Sequence, residues 1–146
     1  MEQIRQAHAT WRGSLAQGGG TVRPGTSGAF PELPTTWASR FEEANGRTSP
    51  EELLAAAHAV CFSMAFSGDL SKAGFPPDRV DVTATITLRK LDRWTVVASA
   101  LEVRGKVPGI KTAQFREIAE GAKENCPISR ALKGNVELSV KATLAR

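Results

Sequence analysis

The chain has 146 residues, of which 41% are hydrophobic and 23% charged, and it carries a net charge of +4. These values are those of an ordinary globular protein and predict one domain, 1–146, large enough for a real core. The Lys and Arg residues are scattered, which speaks against a nucleic-acid footprint, and two cysteines are too few for a disulfide-stapled secreted scaffold.

Metal binding is not expected. There is no CxxC and no HExxH, and His8 and His58 are far apart in sequence. No other cofactor motif is visible. The N-terminus MEQIRQAHATWRG has no apolar signal core. The longest apolar run, Leu53 to Phe66, is interrupted by His58 and Ser63 and falls short of the ~18 residues of a membrane span. The expectation is a soluble, cytoplasmic protein with no membrane partner.

Residues 5 to 13 alternate weakly and predict a strand. Gln17 to Gly20 (QGGG) predicts a turn, and Thr21 to Arg23 a short return strand. Pro24 to Thr36, rich in Pro, Gly, Ser and Thr, predicts a loop. Trp37, Ser39 and Phe41 alternate with Ala38, Arg40 and Glu42, which predicts a third strand with Arg40 opposite Phe41. Asn45-Gly46 marks a turn.

Ser49 to Gly74 then predicts one long helix, roughly 35 Å at about 1.5 Å per residue. Ser49 is the N-cap, Pro50 the first helical residue, Glu52 the capping-box partner and Gly74 the C-terminal cap. Its middle is apolar on nearly every side, which predicts burial all round. Val80 to Leu88 alternates cleanly as a half-buried strand, with Asp92-Arg93 as the turn after it. Trp94 to Val107 is its neighbour, with a phase shift near Ala100-Leu101 that predicts a bulge. Lys111 to Asn125 is helical, with Thr112 as N-cap. Cys126, eleven residues after Phe115, falls on the apolar face of that helix. Pro127 opens a short second helix, and Val136 to Leu144 is a closing strand. The fold class is α+β, a mainly antiparallel sheet packed on a long central helix. A sheet covers such a helix on one side, so a partner subunit is expected on the other.

A cysteine in an apolar helix is ordinarily a small buried hydrophobe. Burial raises a thiol pKa, and the helix dipole fades before Cys61, so an active Cys61 requires a specific cation. Glu52 has the capping task, which leaves Glu51 without one. An arginine held by Glu51 would keep donors free for a sulfur. Arg40 is the nearest arginine able to point inward. His58, one turn before Cys61, is read as structural, since a preformed thiolate needs no base. Phe62, Met64, Phe66 and Phe75 are each read as core before pocket.

The stretch SPEELLAAAHAVCFSMAFS, with the later NCPISRAL and the earlier SRFE, resembles the OsmC/Ohr family (osmotically inducible protein C and organic hydroperoxide resistance proteins). The likeness spans essentially the whole chain. Arg40 in SRFE matches the arginine of the OsmC branch, whereas Arg23 in TVRPG does not match the N-terminal-loop arginine of the Ohr branch. The resemblance implies an OsmC/Ohr-like fold, an intertwined homodimer and a thiol peroxidase without metal or organic cofactor. It implies Cys61 as the peroxidatic cysteine and Cys126 as its resolving partner in a Cys61–Cys126 disulfide. Arg40 would stabilise the thiolate, Glu51 would orient Arg40, and a dithiol, in this family typically a lipoyl group, would reduce the disulfide. The implied substrate is an organic hydroperoxide, with hydrogen peroxide as a second candidate. The rival readings are a peroxide-oxidised redox sensor and a non-catalytic dimer of the same fold with inert cysteines.

Overall fold

The computed structural model describes all 146 residues, Met1–Arg146. The chain divides into two compact units, Met1–Leu53 and Leu54–Arg146.

The first unit carries a three-stranded antiparallel sheet in the order β1-β2-β3, with β1 Ala7–Arg12, β2 Gly19–Pro24 and β3 Leu33–Thr35. The turn between β1 and β2 lies earlier than QGGG. Gly13 takes φ +86°, and Gly18 N–H bonds Ser14 C=O at 2.8 Å, so Gly19 and Gly20 are already strand. Gly20 pairs with Trp11, whose indole occupies the space a Cβ would need. β3 falls in the stretch predicted as loop. It is three residues long, includes Pro34, and pairs with β2 on one side, while its other side carries a single parallel bridge from Thr35 to Thr48.

The segment predicted as a third strand is a helix, α1 Trp37–Phe41. A six-residue alternation is too short to separate the two periods, and the cap decides. Thr36 Oγ1 accepts from Ser39 N–H, and Ser39 Oγ accepts from Thr36 N–H, each at 3.0 Å. This is a capping box with serine in place of Glu or Gln at the third position. Asn45 (φ +49°) and Gly46 (φ +77°) then make the predicted turn.

The long helix is α2 Pro50–Lys72. Ser49 Oγ caps Glu52 N–H at 3.1 Å as expected. The Glu52 carboxylate does not complete the box; it accepts from Thr48 Oγ1 at 2.7 Å. At the far end Gly74 takes φ +91°, Phe75 N–H reaches Leu70 C=O and Gly74 N–H reaches Ser71 C=O, the paired bonds of a Schellman motif.

The second unit contains most of α2, then β4 Arg79–Lys90, β5 Trp94–Lys106, α3 Thr112–Asn125, α4 Pro127–Leu132 and β6 Glu137–Leu144. Its sheet runs β4-β5-β6. β4 pairs antiparallel with β5, and β6 pairs parallel with β5 after the α3–α4 crossover. The register shift sets Thr87 against Ala98 and Leu88 against Val96. The extra residue is therefore Val97, three positions before the predicted bulge. The N-cap of α3 is Lys111 with no side-chain bond, so Thr112 lies inside the helix. Phe115 of α3 packs over Gly105 of β5, where a Cβ would stand 2.7 Å from the ring.

The core joins Phe62, Phe66 and Leu70 of α2 to Leu101 and Val103 of β5 and to Phe115, Ala119 and Ala122 of α3. The Phe66 and Phe115 rings meet edge-on at 5.1 Å. Phe62 and Phe66 are core, as read from sequence, while Met64 is 71% exposed. Burial of α2 is one-sided: His58, Phe62, Phe66 and Leu70 are spaced four apart, and Val60 and Met64 face outward. The predicted burial all round is therefore not met within the single chain. By length and composition α2 passes as a membrane span, longer than the bare apolar run suggested. Its buried stripe and hydrogen-bonded His58 make it a core helix.

Candidate active site

The structure brings the four predicted site residues together as two pairs. Arg40 and Glu51 meet in the first unit, and Cys61 and Cys126 meet in the second.

Arg40 sits in α1, and α1 is tied down on both sides of its cap. Ser39 Oγ lies 2.9 Å from both Thr36 C=O and Thr48 C=O, its one hydrogen shared between the two carbonyls. Thr48 N–H bonds Pro34 C=O at 2.9 Å, which fixes the segment entering α2 against β3. Glu51, in the first turn of α2, then receives Arg40 in a forked pair. Arg40 Nε donates to both carboxylate oxygens, at 2.9 and 3.1 Å, and Nη2 donates to Oε1 at 2.6 Å. The Glu51 side chain is 11% exposed and the Arg40 side chain 30%. Trp37 and Phe41 flank the guanidinium, with ring centres at 6.0 and 5.6 Å, within cation–π reach. Nη1 takes no part in the fork, so its two N–H groups are available to an anion.

Cys126 is placed by its neighbour. Proline disfavours helical backbone in the residue before it, and Cys126 is extended at φ −62°, ψ 140°, which ends α3 and begins α4. Its sulfur caps α4 by accepting Ser129 N–H at 3.4 Å, and its thiol lies 3.1 Å from Ser129 Oγ. Cys126 is fully buried, Cys61 is half-buried, and both are free thiols. Burial pushes the Cys61 thiol above its ordinary value. The Ile128 backbone N–H, donating to the sulfur, pulls it down, and the adjacent Cys126 thiol pushes it up again. An amide donor of α4 and the second sulfur thus face Cys61 together.

His58 is fully buried, with Nδ1 2.5 Å from Ser99 Oγ of β5 and Nε2 2.8 Å from Ser129 Oγ of α4. Burial holds its pKa below the usual histidine value, so the ring is neutral at neutral pH. Sequence reasoning found His58 but missed Ser99, Ser129 and the Ile128 amide. One signal was present: C-P-I-S places Ser129 three residues after a cap, the position that closes a capping turn.

The model of the OsmC-like protein family matches residues 43–141. The peroxiredoxin OsmC of Escherichia coli K12 is 42% identical over 135 residues, 92% of this chain and 93% of that protein. The chain belongs to the OsmC family. A more distant relative, the organic hydroperoxide resistance protein-like 2 of Staphylococcus epidermidis, is 28% identical over 96 residues, 66% of this chain and 68% of that protein. The crystal structure of the organic hydroperoxide resistance protein OhrB of Bacillus subtilis superposes with a TM-score of 0.72 at 24% identity, covering 94% of this chain and 98% of that one. That likeness confirms the OsmC/Ohr-like α+β fold.

Proposed function

We propose that this chain is a cysteine-based peroxidase that reduces organic hydroperoxides through Cys61 and Cys126. One observation carries the reading: the two cysteines of the chain, sixty-five positions apart, stand next to each other at the first turn of α4. The names of the relatives, peroxiredoxin and organic hydroperoxide resistance protein, point the same way.

The Cys61 thiolate attacks one oxygen of the hydroperoxide. The O–O bond breaks, an alcohol leaves, and Cys61 becomes a sulfenic acid. Cys126 attacks that sulfur, water leaves, and the Cys61–Cys126 disulfide forms. An external dithiol, such as a lipoylated protein, reduces it by thiol–disulfide exchange. Burial opposes the Cys61 thiolate, so a cation must favour it. Arg40 is assigned that role, supplied within a homodimer, with Glu51 holding its guanidinium in one orientation. The outward face of α2, with Ala56, Val60, Met64 and Gly68 exposed, is the surface assigned to the partner subunit. The cytoplasm, with its thiol reductants, is the compartment this cycle suits.

The test is peroxide consumption by the purified protein with a dithiol, comparing cumene hydroperoxide with hydrogen peroxide, and with Cys61→Ser and Cys126→Ser as controls. Turnover lost in Cys61→Ser and faster on the organic peroxide is the expected result. Oxidation of the thiols without turnover selects the redox sensor. No consumption by the reduced protein, with both thiols still free, selects the inert dimer.

A further inference from the structure

The peroxidase cycle leaves one requirement unassigned. Cys126 must lose a proton to attack the sulfenic acid, yet it is fully buried and away from water. A neutral thiol is a poor nucleophile, and the resolving step waits on its ionisation. A single chain of hydrogen bonds leads away from this sulfur. The Cys126 thiol donates to Ser129 Oγ at 3.1 Å, the Ser129 hydroxyl meets His58 Nε2 at 2.8 Å, and His58 Nδ1 meets Ser99 Oγ at 2.5 Å.

We propose that His58 is the proton acceptor for the resolving cysteine, acting through the Ser129 hydroxyl, with Ser99 holding the ring in the receptive tautomer. The proposal rests on the peroxidase reading above. The directions of the bonds are consistent with one another. Ser129 Oγ accepts from the thiol, so its own hydrogen is free for Nε2. The relay takes the tautomer in which Nε2 presents its lone pair to that hydrogen and the ring hydrogen is on Nδ1, donating to Ser99 Oγ. The three elements that meet here, α2, β5 and the α3–α4 junction, each supply one part. The titratable group that reaches the ring from these elements is the Cys126 thiol, through Ser129, with Cys61 three residues on along α2; β5 contributes the neutral Ser99. No carboxylate bonds either ring nitrogen, and burial keeps the imidazole neutral and able to accept.

The step balances as follows. The Cys126 proton passes to Ser129 Oγ while the Ser129 proton passes to His58 Nε2, leaving a thiolate, a neutral serine and an imidazolium. The thiolate forms the S–S bond to Cys61 as the S–O bond of the sulfenic acid breaks. The departing hydroxide takes a proton from solvent, and the imidazolium later returns one. The sum is one disulfide and one water, with Cys126 oxidised and the Cys61 sulfur reduced. In the reductive half the same path runs backwards and protonates Cys126 as it leaves the disulfide. A buried histidine bonded to two serines also ties α2 to β5 and α4, so the test must separate proton transfer from packing.

The experiment follows disulfide formation after one equivalent of cumene hydroperoxide, by rapid quench and mass spectrometry of the intact chain, from pH 6 to 9. In the wild-type protein the resolving rate should be level above about pH 7, because the acceptor is already neutral there. In Ser129→Ala and in His58→Gln it should fall about 100-fold at pH 7, within the range of general-base contributions. Both variants should recover about tenfold per pH unit as the pH rises, because deprotonation of Cys126 then falls to solvent hydroxide. A wild-type rate that climbs tenfold per unit overturns the relay without recourse to any variant. Variants slowed by one constant factor at every pH overturn it in favour of packing, and variants at wild-type rate overturn it outright. A wild-type chain that never pairs Cys61 with Cys126 overturns the peroxidase reading itself, and the relay with it.

Discussion

Arg40 and Glu51, eleven residues apart, are joined by three hydrogen bonds, the shortest 2.6 Å between Nη2 and Oε1. The fork commits Nε and Nη2 and leaves the Nη1 edge of the guanidinium presented. Ser39 and Thr48 anchor the helix that carries Arg40, so little ordering remains for the moment when an anion arrives. Lysine has neither a fork nor a second edge.

Arg40→Lys should therefore slow Cys61 oxidation by cumene hydroperoxide about 100-fold, as the loss of a preorganised donor does. Glu51→Gln keeps the shape but weakens the hold on Arg40, and should slow it about tenfold. The second-order rate constant under single-turnover conditions measures both. Equal rates in Arg40→Lys and wild type would remove Arg40 from the account.

Stability should respond to His58 with a definite sign. Its folded pKa lies below the ordinary value, so between the folded pKa and about 6.5 the unfolded chain binds the extra proton. The histidine contribution is complete above about pH 6.5 and is lost as the pH falls through the folded pKa. Glu124, held low by Lys133, adds a loss of the same sign further down, from about pH 4.3. Urea unfolding of the reduced protein should give a midpoint that falls between pH 7 and pH 5. The fall should be shallower in His58→Gln, and the same slope in both proteins would show that His58 is not its source.

The outward face of α2 makes a separate prediction. Val60 is 57% and Met64 71% exposed on an otherwise apolar stretch. Val60→Asp combined with Met64→Asp should turn a dimer into a monomer in sedimentation velocity, since charged groups cannot be buried unpaired. A dimer that survives both changes would place the interface elsewhere.

The parts legible in the sequence were those with redundant signals. The helix α2 had a cap, a proline, an apolar run and a terminal glycine, all in agreement. β4 alternated over nine residues and was clear. α1 had only five residues, and its Trp-Ala-Ser-Arg-Phe pattern fits either period; the Thr36–Ser39 box that decides it lacks the usual glutamate. The parallel pairing of β6 leaves no trace in its alternation, which is the same in either direction. For the site, Cys61, Cys126, Arg40 and Glu51 were marked by residue type and family resemblance, and the structure unites them in pairs. Ser99 and Ser129 were not marked, because a buried serine shows its use only when its partner is known. From sequence His58 reads as structural because a preformed Cys61 thiolate needs no base. That argument does not extend to Cys126, which the fold places one serine away.

The central claim is that Cys61 and Cys126 are partners in one catalytic cycle. The most direct measurement treats the fully reduced protein with one equivalent of cumene hydroperoxide and maps its sulfurs by peptide mass spectrometry, with Cys126→Ser treated alongside in the presence of a sulfenic-acid trap. The account predicts an intramolecular Cys61–Cys126 disulfide in the wild type and a trapped sulfenic acid on Cys61 in the variant. Peroxide consumed with Cys126 left as a free thiol, or the trap found on Cys126 of the wild type, would contradict it.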